Sequence, residues 1–218
     1  EGRGDQANPE EAARWYERAA GRGVALAQFR YASMLEKGHG VKKDLGQARR
    51  LYLAAATKGN AKAMHNLAVL YAEGIDGPPD YATAAQWFRK AADHGVADSQ
   101  YNLGVLTARG LGTPKSLTDS YKWFALAAAQ GDKEAARKRD EVATQMDTES
   151  LAEAQKSVKT FVAAAQPPDA IAVASPPGGW DDAAAPAARA PVAPSPAAHG
   201  KPVSRSPLAL GAFKVGNR

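Results

Sequence analysis

The 218-residue chain contains no cysteine, and this absence excludes several kinds of site at once. Disulfide scaffolds, zinc–thiolate centres, iron–sulfur clusters and thiol nucleophiles all require cysteine. Long apolar runs are missing as well. The longest run, over 123–129, has seven residues, whereas a membrane-spanning helix requires about 20. We therefore expect neither thiolate chemistry nor a membrane span within this sequence.

A large excess of charge of one sign is missing too, since 28 Lys and Arg and 23 Asp and Glu give a net charge of only +5. Three short basic clusters, at 42–43, 49–50 and 137–139, have acidic residues nearby, which is typical of solvated helix surfaces. The four histidines never occur four residues apart, so we expect no metal site and no cofactor. No Gly-x-Ser-x-Gly elbow is present. These absences favour a protein that is neither an enzyme nor a nucleic-acid-binding protein.

Proline is scarce in the first part of the chain and frequent in the last part. Ten of the 14 prolines lie at or after residue 167, in a stretch that holds 14 alanines and two aromatic residues, Trp180 and Phe213. Such a composition cannot bury enough apolar surface to fold alone, so we predict an extended or disordered tail over 167–218. The isolated Trp180 is either a docking anchor for a partner or a residue of an inert spacer.

A period of 36 residues runs through the part that precedes this tail. Pairs of large apolar residues begin at 15, 51, 87 and 123, and glycines recur at 23, 59, 95 and 131. Within each period, apolar residues spaced three and four apart indicate two amphipathic helices. Helices of about 13 residues are marginal alone, so stacking must stabilise them. The pattern predicts an all-α fold, an α-solenoid of stacked helix–turn–helix repeats.

One unit shows the motif most completely. It reads Asp-Tyr-x-x-Ala-x-x-Trp-Phe-x-Lys-Ala-Ala-x-x-Gly over 80–95, followed by Ala-Asp-Ser-Gln-Tyr-Asn-Leu-Gly-Val-Leu over 97–106. This motif resembles the Sel1-like repeat (SLR) family, a relative of the tetratricopeptide repeats. The resemblance implies an SLR solenoid over 8–146. Its full units lie at about 24–59, 60–95 and 96–131, with a half unit on each side.

The two ends of the array differ from its middle. Asn8 and Pro9 suit the start of a first helix that has no preceding partner. Because the chain also opens without methionine, we expect a longer parent protein with a further repeat upstream. Arg139 and Asp140 stand where earlier units have apolar or small residues, so the array should stop there. The apolar spacing after Thr148 predicts a capping helix over 147–166.

Candidate partner-binding residues follow from the family resemblance, in which the first helix of each unit lines a concave groove. The corresponding residues here are Phe29, Arg30, His65, Asn66, Tyr101 and Asn102. Aromatic and amide groups would suit an extended peptide or a sugar strand. The alternative is that Phe29, His65 and Tyr101 pack between units, and that the two asparagines form hydrogen bonds between repeats.

The C-terminal part shows a second resemblance. Asp-Glu-Val at 140–142, Leu-Ala-Glu-Ala-Gln at 151–155 and Pro-Pro-Gly-Gly-Trp-Asp at 176–181 are similar to the end of alphaproteobacterial SLR proteins that organise cell poles. This resemblance implies the periplasmic region of a single-pass inner-membrane protein, although the residues themselves leave the cytoplasm open. We expect a non-enzymatic scaffold with protein or peptide partners in its groove. The alternative is a peptidoglycan-binding module that acts through the groove or the tail.

Overall fold

The computed structural model describes residues 8–75 and 77–172, which form ten α-helices and no strand. The helices are α1 (Pro9–Gly21), α2 (Ala25–Lys37), α3 (Leu45–Thr57), α4 (Ala61–Glu73), α5 (Tyr81–Asp93), α6 (Ala97–Arg109), α7 (Leu117–Ala129), α8 (Lys133–Ala143), α9 (Thr148–Lys159) and α10 (Pro168–Ile171). None of them has the length and apolar character of a membrane-spanning helix.

Helix boundaries repeat with the sequence because the capping residues repeat. The odd-numbered helices α1, α3, α5 and α7 begin after residues whose side chains accept hydrogen bonds from first-turn N–H groups, namely Asn8, Asp44, Asp80 and Ser116. The even-numbered helices α2, α4 and α6 end at glycines in the left-handed region, Gly38, Gly74 and Gly110. A 36-residue sequence period thus becomes a two-helix structural period.

From α1 to α8 each helix packs against the next in chain order, whereas α9 packs against α7, and the apolar stripes between the helices form the core. Tyr52, Phe88 and Phe124, one from each of α3, α5 and α7, are almost completely buried. Small residues such as Ala48 and Ala84 allow the close approach of neighbouring helices. The predicted all-α solenoid is confirmed in the described residues.

The C-terminal segment differs from the predicted helix over 147–166, because α9 ends at Lys159. Residues 160–167 are not helical and lead to the short helix α10, which contacts α2. The physical reason is a contact outside the helix: the Phe161 ring packs against Trp123, with 5.9 Å between ring centroids. We call residues 160–171 the C-terminal strap. The remainder of the predicted tail, including Trp180, lies outside the described residues.

Candidate functional site

The six candidate partner-binding residues lie on the even-numbered helices, but most of them face the interior. Phe29, His65, Asn66 and Asn102 are buried. Tyr101 is half-buried, and Arg30 is exposed, with its guanidinium group 5.7 Å from the centre of the Phe29 ring. The four buried side chains offer little surface to a partner.

The aromatic column packs between successive units, as the alternative interpretation describes. Phe29 contacts Tyr52, with 6.1 Å between ring centroids, and His65 lies 5.7 Å from Phe88. Tyr101 meets Phe124 edge-on, with 5.5 Å between centroids. In each pair the residue from an even-numbered helix meets a ring 23 positions later in the sequence, on the following odd-numbered helix.

Buried polar groups near this column form hydrogen bonds with one another. Asn66 Nδ2 donates to the Tyr52 hydroxyl at 2.9 Å, and that hydroxyl donates to Glu36 Oε2 at 2.7 Å. Burial and the nearby Glu36 carboxylate raise the pKa of Tyr52, so the phenol stays protonated and keeps its role as a donor. His65 Nδ1 lies 2.7 Å from Ser99 Oγ and joins α4 to α6.

We call the surface formed by the even-numbered helices α2, α4, α6 and α8 the even-numbered face. At the C-terminal end of this face, between α6 and α8, lies an open cavity of about 470 Å³. Its apolar floor consists of Tyr101, Val105, Phe124 and Val142. The charged residues at its rim are Arg109, Lys115, Glu134, Lys138 and Glu141. We call this cavity the α6–α8 cleft. It stays open because α8 has Lys138 and Glu141 at positions where α6 has Asn102 and Val105.

The rim of the cleft carries both signs of charge. Lys138 Nζ donates to Glu141 Oε2 at 2.8 Å, and this hydrogen bond raises the pKa of Lys138. Burial, together with the Glu134 carboxylate, raises the pKa of the Tyr101 phenol. At neutral pH the cleft therefore presents a neutral hydroxyl, an ammonium group and carboxylates around an aromatic floor.

An apolar floor with a charged rim is suited to the recognition of a ligand that has both apolar and polar groups. Within the described residues, no group of three or more metal-ligating side chains is assembled. The sequence pattern identified Tyr101 but missed Val105, Val142 and the charged rim. A signal for them was present in the charged residues of α8 at 137–141, which mark the end of the array and therefore the place where one unit lacks a matching neighbour.

Helix pairs that stack with a regular sequence period, and that carry on one face a cleft with an apolar floor and a charged rim, are typical of α-solenoid interaction modules. The family model "Sel1 repeat" matches residues 1–24, 25–60, 61–96 and 97–132. The chain therefore belongs to the Sel1 repeat family. Proteins of this family are in general non-enzymatic modules that bind protein partners.

Two solved structures are similar to this chain to different degrees. A Sel1 repeat protein from Oxalobacter formigenes is 31% identical, with a TM-score of 0.61, over 72% of this chain and 67% of that chain. A protective antigen with an SLR fold, present in uropathogenic Escherichia coli strains, is 17% identical, with a TM-score of 0.37, over 71% of this chain and 56% of that chain. No curated protein matches significantly.

Proposed function

We propose that this chain is a non-enzymatic scaffold that binds a protein partner in the α6–α8 cleft. The observation that carries the proposal is the half-buried Tyr101, which forms part of the apolar floor at the open end of the even-numbered face. Tyrosine is enriched among the residues that contribute most to binding energy, because it combines a large apolar ring with a hydrogen-bonding hydroxyl.

The chemistry of the cleft favours a polypeptide segment with one apolar side chain between polar groups. The apolar side chain would pack on Tyr101, Val105 and Val142, and partner amides would find acceptors in Glu134 and Glu141. The mixed charges of the rim would contribute to orientation more than to affinity. A partner with a single charged block would leave half of the rim unmatched.

A displayed library of 12-residue peptides tests the proposal, since selection from it requires no named partner. Peptides selected on the wild-type chain are measured on Tyr101→Ala and on Tyr16→Ala. Tyr16 is the matched control because it is an exposed tyrosine on α1, far along the chain from the cleft. We expect at least a tenfold loss of affinity with Tyr101→Ala, about 1.4 kcal/mol, and no change with Tyr16→Ala. Equal binding to both variants would contradict the proposal.

The cellular role extends this proposal. The residues over 140–142, 151–155 and 176–181 resemble the end of the polar-localisation factor PodJ. We infer from this resemblance a periplasmic repeat region of a cell-pole organising protein. Labelling of the native protein in cells, with a reagent that does not cross the inner membrane, tests this assignment, and protection of the repeat region from the reagent would overturn it.

Peptidoglycan binding is the alternative function, with the groove or Trp180 as the contact. Co-sedimentation of the full chain with purified peptidoglycan distinguishes it from the protein scaffold. Sedimentation that is lost in Trp180→Ala or in Tyr101→Ala supports the wall-binding function and locates it in the tail or the cleft. Absence of sedimentation supports the protein scaffold.

A further inference from the structure

The C-terminal strap leaves α9 and returns along one edge of the solenoid. Its path crosses the turn between α5 and α6, then the turn between α3 and α4, and ends at α2. Phe161 begins this path with an edge-on contact to Trp123, and Lys122 Nζ lies 5.5 Å from the centre of the Phe161 ring. The strap is thus an extended peptide docked on the repeats of its own chain.

At the turn between α5 and α6, the strap forms a pair of hydrogen bonds through its backbone. The N–H of Ala164 donates to the Asp93 carbonyl at 2.8 Å. His94 Nδ1 donates to the Ala164 carbonyl at 2.9 Å. Because both contacts use the main chain of the strap, they select an extended conformation rather than a particular side chain.

At the turn between α3 and α4, side chains provide the contacts. Gln166 Oε1 accepts from the N–H of Ala61 at 2.8 Å, and Asn60 Nδ2 donates to the Ala170 carbonyl at 2.7 Å. Ala61 is the first residue of α4, and its N–H has no acceptor inside the helix. Gln166 therefore acts as an external cap, at a place where a carboxylate would bind more strongly.

The strap and the repeats share a register. Ala163 lies against Gly95, and Pro167 lies against Gly59, so four strap residues correspond to one repeat. A Cβ on Gly95 would stand 3.2 Å from Ala163 Cβ, and a Cβ on Gly59 would stand 2.6 Å from Pro167 Cδ. We call the surface at these two turns the glycine track. The absence of a side chain in the track allows a backbone to lie close to it.

We propose that the glycine track is a second peptide-binding site, which the C-terminal strap occupies in cis and an extended segment of a partner protein occupies in trans. The segment that fits has an aromatic residue and, two positions later, a small residue. Glutamate or glutamine stands five positions after the aromatic residue, and proline stands six positions after it. This inference rests on the proposed scaffold function and adds a second site to it. The strap competes with the partner for the track. Its effective local concentration there is high, because the strap is part of the same chain.

Several features allow the strap to be displaced. Between its anchors the strap is open to solvent, since Val162 is 86% exposed and residues 163–165 are also exposed. Four hydrogen bonds to the repeats, the half-buried Phe161 ring and the buried Ala170 of α10, which contacts α2, hold it in place. A partner with a stronger anchor at the Gln166 position would compete with these contacts.

A labelled synthetic peptide of residues 158–172 tests the inference by fluorescence anisotropy. It is titrated into the full wild-type chain and into the full Phe161→Ala chain, whose weakened strap leaves the Trp123 surface free. We expect at least tenfold tighter binding to Phe161→Ala, because the tethered competitor has lost its anchor. The same peptide with Gln166→Glu should bind more tightly still. If Phe161→Ala loses its helical circular dichroism, Gln166→Ala replaces it as the weakened chain.

A matched pair of glycine variants locates the bound peptide. In the Phe161→Ala chain, Gly59→Ala and Gly131→Ala introduce the same strain, because the two residues have φ of +91° and +94°. A Cβ on Gly59 meets the strap, whereas a Cβ on Gly131 meets nothing within 4 Å. We expect a tenfold loss of peptide binding with Gly59→Ala alone. Equal losses in both variants, or equal binding to wild type and Phe161→Ala, would overturn the inference.

This result is independent of the test of the α6–α8 cleft. Peptides selected at the cleft should respond to Tyr101→Ala and not to Gly59→Ala, and the strap peptide should show the reverse. If Tyr101→Ala also lost binding of the strap peptide, the glycine track would not be a separate site, while the cleft proposal would stand.

Discussion

Tyr52, Glu36 and Asn66 show at the level of single residues how one unit of the solenoid differs from the others. The Tyr52 hydroxyl connects Glu36 and Asn66 in a buried network. In the next two units the position of Tyr52 is taken by Phe88 and Phe124, and that of Glu36 is taken by alanine. The buried acceptor thus occurs only where a phenol can donate to it, as the cost of an unpaired buried group requires.

This pairing makes a prediction for a double-mutant cycle. Tyr52→Phe should lower the free energy of unfolding by about 1–3 kcal/mol, because it removes a donor from the buried Glu36 and an acceptor from Asn66. Adding Glu36→Ala should recover part of this loss, since the double variant reproduces the pair found in the later units. Urea unfolding measures both values. A double variant as unstable as the sum of the two single variants would contradict the coupling.

At the scale of the helices, capping determines where each element begins. Asp147 precedes α9, and its carboxylate accepts from the Ser150 N–H at 2.8 Å. That backbone hydrogen bond and a second one from the Ser150 hydroxyl lower the pKa of Asp147 below its ordinary value. The charged carboxylate also faces the positive end of the helix dipole.

The lowered pKa gives a pH dependence with a definite sign. The stabilising contribution of Asp147 is complete above the pKa of an unfolded aspartate and is lost as the pH falls through the lowered folded value. Asp147→Asn keeps a good cap that does not titrate. Its midpoint of thermal unfolding should therefore fall less than that of the wild type between about pH 5 and pH 2. Glu153→Gln, on an exposed face of α9, should behave like the wild type.

At the scale of the whole molecule, the C-terminal strap changes how the repeats depend on one another. In a simple solenoid each unit contacts only its neighbours. Here the hydrogen bonds of Gln166 and Asn60 join residues 105 and 110 positions apart. The strap therefore couples the C-terminal cap to the unit that contains α3 and α4.

This coupling should appear in equilibrium unfolding. Phe161→Ala should lower the stability by about 1 kcal/mol, because it removes the edge-on contact with Trp123. It should also reduce the denaturant dependence of the transition, since the ends then unfold more independently. Val162→Ala is the matched control, because that side chain is 86% exposed and its loss should change the stability by less than about 0.5 kcal/mol. An unchanged slope in Phe161→Ala would contradict the coupling.

Local chemistry explains why so much of the fold could be predicted from the sequence. The glycines and the capping residues act within a few positions of themselves, so their 36-residue period determined the helices and their order. The stacking followed as well, because a short amphipathic helix has to bury its apolar stripe on a neighbour.

Only the tertiary structure decided which side chains remain available to a partner. Phe29, His65 and Tyr101 occupy the same column, yet Tyr101 alone borders the open cleft, because its exposure depends on the polar residues of α8. Similarly, the apolar spacing through Phe161 predicts a longer helix. In the structure the Phe161 ring packs instead against Trp123, 38 positions earlier in the sequence, and the non-helical strap begins there. The sequence by itself determined the helices and their order, because these features depend on residues close together along the chain. Contacts between distant residues decided the cleft and the strap, since burial depends on which surfaces meet.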